Sequence, residues 1–193
     1  MKRLCVFCGA SAGNNPAYAR LAFEAGKLLA SRGIGVVYGG GNVGLMGALA
    51  DGALSMRGEV IGVIPHALET KELAHKGATE MRVVRSMHER KQLMHDLSDG
   101  FVALAGGLGT WDELFETLTW AQLGFHRKPV GLVNSLGYYD PLCALLARAV
   151  SDGFVGSTQA ELLLVEDSID ELLPRMEGWS APNADRWLGR GEN

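Results

Sequence analysis

The chain has 193 residues and a formal net charge of −4, with 47% hydrophobic and 21% charged residues. This size and composition are typical of one globular domain with a substantial hydrophobic core. The negative charge disfavours non-specific binding to nucleic acid or an anionic membrane, and no apolar run is long enough to span a bilayer. We therefore expect a cytoplasmic protein with neither nucleic acid nor membrane among its partners.

Short, continuously apolar segments alternate with amphipathic segments along the chain. The apolar segments predict strands at 3–7, 35–38, 60–64, 81–84, 101–104, 130–133 and 162–165. The segments between them predict helices at 16–31, 45–56, 87–97, 110–123, 141–151 and 169–176. Strands that are apolar on both faces are typical of a parallel sheet with helices on both sides. The sequence predicts one α/β domain at 1–177, a three-layer, doubly wound, Rossmann-like parallel sheet, and a C-terminal tail at 178–193.

The chain contains three cysteines, Cys5, Cys8 and Cys143. The C-x-x-C spacing of the first two raises the question of a redox pair or a zinc site. Residues three apart on a strand face opposite sides, and the sequence has no second pair to complete a zinc site. We therefore predict buried, reduced thiols and no bound metal.

Unusual loops follow the strands at one edge of the predicted sheet. They read CGASAG after the first strand, YGGGNVGLMG after the second, Pro65-His66 after the third and AGGLGT after the fifth. Because ligands bind beyond the carboxyl ends of parallel strands, these loops predict the position of the site.

The glycine loop at 39–44 fits the pattern G-x-G-x-x-G between a strand and a helix. A dinucleotide site also needs an acid about 20 residues further on, to bind the ribose. That region reads VIGVIPHAL and has no acid, which disfavours an NAD-dependent oxidoreductase. Two interpretations stay open: contact with a mononucleotide or sugar phosphate, or a purely structural turn.

The second glycine loop, GGLGT at 106–110, begins the next predicted helix. Backbone amides and the helix dipole favour an anion there, and the missing G-K-[ST] ending disfavours NTP hydrolysis. Thr110 and Glu113 form T-x-x-E, so Glu113 is either half of a capping box or a carboxylate with a chemical role. The helix has one apolar stripe, formed by Trp111, Leu114, Phe115, Leu118 and Ala121.

The helix at 87–97 places an arginine on its apolar face. Arg90 precedes Leu93 and Met94 by three and four residues, and an unpaired buried charge is costly. Its partner is either a structural carboxylate or a ligand in an active site. Lys91 is expected to face solvent or to seek phosphate, and metal binding by His88 and His95 is disfavoured because H-E-x-x-H is absent.

Taken together, these segments resemble the Lonely Guy family of cytokinin-activating nucleotide phosphoribohydrolases, long labelled lysine decarboxylases. The family motif P-G-G-x-G-T-x-x-E is matched by AGGLGTWDE, with Ala105 in place of proline and Asp112 where many members have glutamate. The element M-x-x-R-K is matched by MHERK at 87–91. FCGASAG, YGGGNVGLMGALADGAL and LTWAQLGFHRKPVGLVNSLGYYDPL extend the resemblance over about residues 2–171.

The resemblance implies hydrolysis of the N-glycosidic bond in an N6-prenylated adenosine 5′-monophosphate, which yields the free base and ribose 5-phosphate. It implies no cofactor, and nothing in the sequence sets up a lysine for pyridoxal phosphate. The catalytic positions implied are Arg90 and Glu113. The substrate-binding positions implied are Glu72, Arg90, Lys91, Gly106, Gly107, Leu108, Gly109, Thr110, Trp111, Asp112, Glu113 and Thr119.

The chemistry of that reaction gives the acids of the second loop a purpose. The glycines and Thr110 can hold a 5′-phosphate, while a carboxylate stabilises the oxocarbenium-like transition state or activates water. A non-catalytic nucleotide- or cofactor-binding carrier would need the loops but not the acids, and it remains the main alternative. Trp120, Leu123 and Phe125 lie close together in sequence, and with the resemblance they predict a homodimer.

Overall fold

A parallel sheet forms the centre of the fold. The computed structural model describes residues 1–69 and 74–181. In these ranges the strands are β1 (Arg3–Phe7), β2 (Gly35–Tyr38), β3 (Val60–Pro65), β4 (Glu80–Val84), β5 (Gly100–Ala103), β6 (Val130–Val133) and β7 (Leu163–Glu166). Their spatial order is β4-β3-β2-β1-β5-β6-β7, and every neighbouring pair is parallel. The predicted fold class and strands are confirmed, with strand ends within about one residue.

Helices follow the strands and cover both faces of the sheet. They are α1 (Ala17–Ser31), α2 (Gly44–Ser55), α3 (His66–Glu69), α4 (Met87–Leu97), α5 (Leu108–Gln122), α6 (Asp140–Ser151), α7 (Ser157–Ala160) and α8 (Ile169–Glu177), with a 3₁₀ turn at Ser135–Gly137. The six predicted helices are present. The one-turn helices α3 and α7 were missed, because four residues are too few to show a helical period.

The direction of winding reverses between β1 and β5. The chain builds β1 to β4 outward on one side, and it then returns to place β5 beside the other edge of β1. Loops that leave two such neighbouring strands diverge to opposite faces, which opens a crevice between them. The loops after β1 and β5 therefore border the natural ligand site of this sheet.

The core consists of two apolar layers, one on each face of the sheet. One layer joins Leu29 of α1, Leu49 of α2 and Leu172 of α8, and the other joins Met94 of α4 and Leu114 of α5. Alternate residues of β1 enter opposite layers, as the period of a strand requires. Covering both faces leaves the edge where the strands end as the accessible part of the sheet.

The cysteines follow this division. Cys5 lies in the α4–α5 layer and Cys8 in the α1–α2 layer, and both are buried free thiols, as predicted. Cys143 is also a free thiol, but it is half-buried.

None of the helices within the two described ranges is long and apolar enough to cross a membrane. The boundary between domain and tail at residue 177 stays a prediction, although α8 ends there.

Candidate active site

A cavity of about 480 Å³ occupies the crevice between β1 and β5. Its wall includes the loop after β1 at 8–13, Gly39 after β2, and the segment 105–110 after β5. Met87 and Arg90 of α4 complete the opposite side. The prediction that the loops after these three strands meet at one edge is confirmed, whereas Pro65-His66 is absent from the described lining.

The start of α5 presents backbone amides to this cavity. Gly107 is the N-cap, and the first amide to bond back along the helix is that of Trp111, 3.0 Å from the Gly107 oxygen. Helix geometry therefore leaves the amides of Leu108, Gly109 and Thr110 without acceptors within the helix. All three residues line the cavity. Together with the helix dipole, this arrangement favours an anion.

The capping-box interpretation of Glu113 is wrong. Because α5 begins at Leu108, Thr110 is the third residue of the helix and is not its cap; the N-cap is Gly107, which has no side chain. Sequence reasoning placed the start at Thr110 because it treated the preceding glycines as loop. Glu113 lies in the second turn, is half-buried, and lines the cavity.

The apolar stripe predicted for α5 divides in the structure. Leu114 is fully buried, while Trp111 and Phe115 are exposed, so the residues of the predicted apolar stripe do not share one environment. The residues of α5 that are buried are Thr110, Leu114 and Thr117. A helix that covers one face of a sheet can carry apolar residues on two of its sides, and only one of those sides contacts the core.

The glycine loop after β2 is built differently. The amides of Leu45 and Met46, at the start of α2, both donate to the Gly9 oxygen, at 2.9 and 3.3 Å. Gly44 has a φ of +63°, and a Cβ there would lie 2.3 Å from the carbonyl carbon of Ala10. This loop therefore packs tightly on the loop after β1, which favours the structural interpretation of its glycines over a phosphate contact.

Arg90 is a buried cation, 6% exposed, in the wall of the cavity. Its Nε donates to the Val63 oxygen at 3.1 Å and its Nη2 to the Gly39 oxygen at 3.0 Å. A Cβ at Gly39 would lie 1.9 Å from Nη2, so a larger residue there would displace the guanidinium from this position. A carbonyl directly after β2 and one within β3 thus orient the guanidinium. Its place in the cavity wall favours the active-site interpretation.

The charges of Glu113 and Arg90 both act on Cys5 of β1. Burial raises the pKa of Cys5; the Glu113 carboxylate raises it further, while the Arg90 guanidinium lowers it. Burial and Glu113 likewise raise the pKa of Cys8, which lines the cavity. Both thiols therefore stay protonated and are poor nucleophiles. The cavity wall therefore holds a carboxylate, that of Glu113, and a guanidinium, that of Arg90, which have opposite charges and lie near the same strand.

Of the two alternatives predicted for Lys91, facing solvent is wrong, since its side chain is only 11% exposed, and contact with a phosphate stays a prediction. Its Nζ donates to Asp112 at 3.1 Å and to Glu116 at 2.9 Å. Burial lowers the pKa of Lys91, but the hydrogen bonds to these two carboxylates outweigh it, so that the pKa is raised. The residue joins α4 to α5, and sequence reasoning missed the part played by Glu116.

The remaining predicted site residues divide into two groups. Thr119 and Trp111 are exposed and, with Lys91, lie outside the described cavity wall, so their contact with a nucleotide stays a prediction. Glu72 lies outside the described residues. The structure brings together Arg90, Gly106, Gly107, Leu108, Gly109, Thr110, Asp112 and Glu113.

Sequence reasoning missed two adjacent tyrosines beside the β5 loop. The Tyr138 hydroxyl donates to the Gly106 oxygen at 2.5 Å, and the Tyr139 hydroxyl donates to the Leu104 oxygen at 2.7 Å. Tyr138 also lines the cavity. Their position in NSLGYYDP, directly after β6, was the available signal, because this strand ends at the same edge as the others.

A buried histidine supports α5 from below. His95 Nε2 lies 3.0 Å from the hydroxyl of Thr117, which donates to the backbone carbonyl oxygen of Glu113 at 2.7 Å. Burial lowers the pKa of His95 to about 3, so the ring is neutral. His95 packs against Phe101 and Trp120, which is a structural environment. Nowhere in 1–69 or 74–181 do three His, Cys, Asp or Glu residues form a group that could hold a metal.

Known proteins share both the sequence and the fold. A family model described as "Possible lysine decarboxylase" matches residues 46–176. The chain is 47% identical over 178 residues to the probable cytokinin riboside 5′-monophosphate phosphoribohydrolase LOGL1 of Oryza sativa subsp. japonica, covering 92% of this chain and 80% of that protein. It is 46% identical over 178 residues to the cytokinin riboside 5′-monophosphate phosphoribohydrolase LOG1 of Arabidopsis thaliana, covering 92% of this chain and 84% of that protein.

Solved structures of lower identity share the architecture. The molybdenum cofactor binding protein of Rippkaea orientalis matches with a TM-score of 0.68 and 21% identity, over 92% of this chain and 97% of that one. The molybdenum cofactor carrier protein of Chlamydomonas reinhardtii matches with a TM-score of 0.67 and 20% identity, over 91% and 96%. At this level of identity the likeness shows the fold alone.

Proposed function

We propose, since the chain belongs to the family of cytokinin riboside 5′-monophosphate phosphoribohydrolases, that it hydrolyses the N-glycosidic bond of an N6-prenylated adenosine 5′-monophosphate. The products are the free base, a cytokinin, and ribose 5-phosphate. The observation that carries the proposal is that the first-turn residues of α5, whose amides have no acceptor within the helix, and Glu113 line one cavity. One small substrate in this cavity can therefore contact the anion site and the carboxylate at the same time.

The spacing along α5 suits a ribose 5-phosphate. Glu113 lies four residues beyond Gly109, a rise of about 6 Å along the helix axis. A phosphate at the amides of the first turn therefore places the ribose along the cavity face of the helix. The anomeric carbon then lies toward Glu113, at the opposite end of the sugar from the phosphate.

Glu113 supplies the charge that the reaction needs. Departure of the base builds positive charge on the anomeric carbon, and a nearby carboxylate stabilises that charge. The same carboxylate can orient or deprotonate the water that attacks the carbon. The water oxygen then bonds to the anomeric carbon and gives one proton to the Glu113 carboxylate. The base leaves with the electron pair of the broken C–N bond, and its nitrogen takes up a proton, so that the carboxylate returns to its charged form.

Arg90 balances the two anions in the cavity. The 5′-phosphate and the Glu113 carboxylate repel each other, and a fixed guanidinium in the wall offsets that repulsion. Because the carbonyls of Gly39 and Val63 already orient it, Arg90 needs little reorganisation when substrate binds.

A carrier that binds a nucleotide without reaction is the alternative. The matching fold of cofactor-binding proteins is compatible with it, but likeness of fold does not transfer function. A carrier has no need of an acid beside the sugar. The position of Glu113 in the cavity wall therefore favours the enzyme.

The older decarboxylase description does not fit the site. Pyridoxal phosphate forms a Schiff base with a lysine whose amine must lose its proton. Among the described cavity-lining residues there is no lysine. Two carboxylates raise the pKa of Lys91, which opposes that role.

We also propose a cytoplasmic homodimer. Leu108, Trp111 and Phe115 are exposed at spacings of three and four, so they form an apolar face on α5, and Leu123 and Phe125 extend it. Trp120 is half-buried against His95, so it contributes less to this surface than predicted. The free thiols support a reducing compartment. A light-scattering mass near the 20.6 kDa of one chain, at micromolar concentration, would contradict the dimer.

The test of the function is release of base from a matched panel. N6-prenylated AMP, AMP and the two corresponding nucleosides are incubated with the protein, and free base is quantified by chromatography. We expect cleavage of the monophosphates and not of the nucleosides. Equal cleavage of adenosine and AMP would contradict the phosphate site, and tight binding of every monophosphate without base release would favour the carrier.

A further inference from the structure

We propose that Tyr138 and Tyr139 are positioning residues that fix the polarity of the loop after β5, so that it presents only N–H groups to the substrate phosphate. This inference rests on the proposed function, since it concerns the same phosphate site. It assigns a role to the YY pair in NSLGYYDP, which the catalytic scheme leaves without one.

Three consecutive carbonyls of the loop are each held by a donor from outside it. The Leu104 oxygen accepts from the Tyr139 hydroxyl at 2.7 Å, and the Gly106 oxygen accepts from the Tyr138 hydroxyl at 2.5 Å. Between them, the Ala105 oxygen accepts from the Gly9 amide at 3.0 Å. The orientation of each of these three carbonyl groups is therefore fixed by a hydrogen bond.

Fixing a carbonyl also fixes the next amide. The C=O and N–H of one trans peptide unit point in opposite directions, because the unit is planar. Holding the Leu104, Ala105 and Gly106 oxygens therefore directs the N–H groups of Ala105, Gly106 and Gly107 the other way. Those three residues line the cavity.

Such control matters in this loop because glycine permits either orientation. The peptide between Gly106 and Gly107 can rotate with little steric hindrance, and a rotated peptide would turn a carbonyl toward the phosphate. An oxygen with partial negative charge facing an anion is repulsive, whereas an N–H group donates to it. The Tyr138 hydroxyl bonds to that very peptide, so it selects the productive orientation.

The tyrosines are themselves held by a constrained turn. Leu136 has a φ of 60°, a conformation that a leucine rarely adopts, and Gly137 follows at 67°. The Tyr139 amide donates to Asn134 Oδ1 at 2.6 Å, which ties the pair to the end of β6. Residues in such conformations persist where the surroundings over-determine them, and they cluster at functional sites.

The environment of Tyr139 keeps its hydroxyl a donor. The side chain is almost completely buried, and burial raises its pKa, so the proton stays on the oxygen at neutral pH. Tyr138 is half-buried, and its ring packs edge-on against those of Tyr18 and Tyr139. Packing fixes both rings, which leaves the hydroxyl groups pointing at the loop.

The test removes each hydroxyl and keeps the ring. Tyr138→Phe and Tyr139→Phe are compared with Tyr38→Phe, because Tyr38 is fully buried and its hydroxyl has no hydrogen-bond partner within the described chain. For each protein, calorimetry gives the dissociation constants of ribose 5-phosphate and of adenine, and steady-state kinetics on AMP gives kcat and KM. Thermal melts report folding.

We expect Tyr138→Phe to weaken ribose 5-phosphate binding and to raise KM about tenfold, with kcat within about threefold, since phosphate contacts act in ground and transition states alike. Adenine affinity should not change, and Tyr139→Phe should act in the same direction. Tyr38→Phe should match the wild type in every constant. A merely structural role would lower the melting temperature without separating phosphate from base.

The outcomes separate this inference from the proposed function. If wild-type protein cleaves AMP and both variants bind ribose 5-phosphate normally, the tyrosine assignment is wrong and the activity stands. If the variants lose ribose 5-phosphate binding but no protein releases base, the assignment stands and the hydrolase is wrong. If wild-type protein binds no ribose 5-phosphate, the tyrosine assignment is overturned as well.

Discussion

The two glycine loops look alike in sequence and differ in what they do with their amides. After β2, the first amides of α2 are satisfied by the Gly9 oxygen, and Gly44 packs on Ala10. After β5, the first amides of α5 line an open cavity, and the neighbouring carbonyls are held elsewhere. A glycine-rich start of a helix is therefore an anion site only when no other part of the fold has already used its donors.

The two loops also cooperate. The Gly39 oxygen of the first loop accepts from Arg90, whose guanidinium stands in the wall of the cavity that the second loop borders. The first loop thus acts as scaffold for a cation, and the second acts as the cradle for an anion. The following experiments test that division.

The largest expected effect is the loss of turnover when the Glu113 carboxylate of α5 is removed. Glu113→Gln keeps the size of the side chain and removes its charge, so kcat should fall by about 10²-fold or more while substrate still binds. Base release at saturating nucleotide, beside a thermal melt, measures this. Glu24→Gln, at an exposed carboxylate of α1 paired with Lys27, is the control. A folded Glu113→Gln protein with near wild-type turnover would remove the catalytic assignment.

The second effect is a loss of folding stability at low pH, caused by the buried His95 that packs beneath α5. The pKa of His95 is lowered to about 3 in the folded state, against 6.5 for the free group, so the unfolded chain binds the extra proton first. Stability is fully present above pH 6.5 and is lost as pH falls toward 3, by at most about 1.4 kcal/mol per pH unit. Urea unfolding at pH 7, 6 and 5 should show this loss.

A variant identifies the source of that slope. Replacing His95 by glutamine should flatten the dependence, whereas His88→Gln, at an exposed position of α4, should retain it. His126, whose pKa burial also lowers, adds a slope of the same sign. Equal slopes in His95→Gln and the wild type would show that His95 does not titrate as inferred.

A third experiment exchanges one glycine in each loop. Gly44→Ala forces a positive φ on alanine and a clash with Ala10, so it should cost more than about 1 kcal/mol of stability. Gly109→Ala meets no atom within 4 Å, so it should fold normally, but its methyl group enters the anion site and should raise KM several-fold. Melting temperatures and KM values for both variants show whether the first loop is structural and the second binds the anion. The same loss of stability in both would erase the distinction between the loops.

The smallest effect is expected at Lys91. Lys91→Met removes the ion pairs to Asp112 and Glu116 but keeps the length of the side chain, so the spacing of α4 and α5 should loosen slightly. We expect kcat to fall about threefold, KM to stay near the wild-type value, and stability to fall by about 1 kcal/mol or less. A tenfold rise in KM with unchanged kcat would instead support direct contact of Lys91 with the nucleotide.

The sequence predicted the sheet because continuously apolar runs such as Val60–Pro65 mark strands covered on both faces. It also predicted the edge at which the site lies, since parallel strands end together. It did not predict the start of α5, because Gly107 and Gly109 carry no helical signal of their own. Nor did it separate Leu114 from Phe115, since periodicity shows that a face is apolar and not what covers it.

Hydrogen-bond partners were the hardest part of the site to predict. The helical period separated Arg90 from Lys91 by face, but it did not indicate that Arg90 bonds to two carbonyls and Lys91 to two carboxylates. Those partners come from elements 21 to 51 positions away in the chain, and only the folded arrangement brings them together.

The fit of Gly39 against Arg90 restricts how this protein can change over generations. The two positions are 51 residues apart, yet any side chain at position 39 would occupy the space of the guanidinium. A side chain at position 39 would push the guanidinium out of its place, so a lineage that keeps the arginine in that place also keeps the glycine. A lineage that loses the arginine is released from that constraint. In related genomes, a bulky residue at position 39 should therefore mark a descendant that has given up the ancestral chemistry.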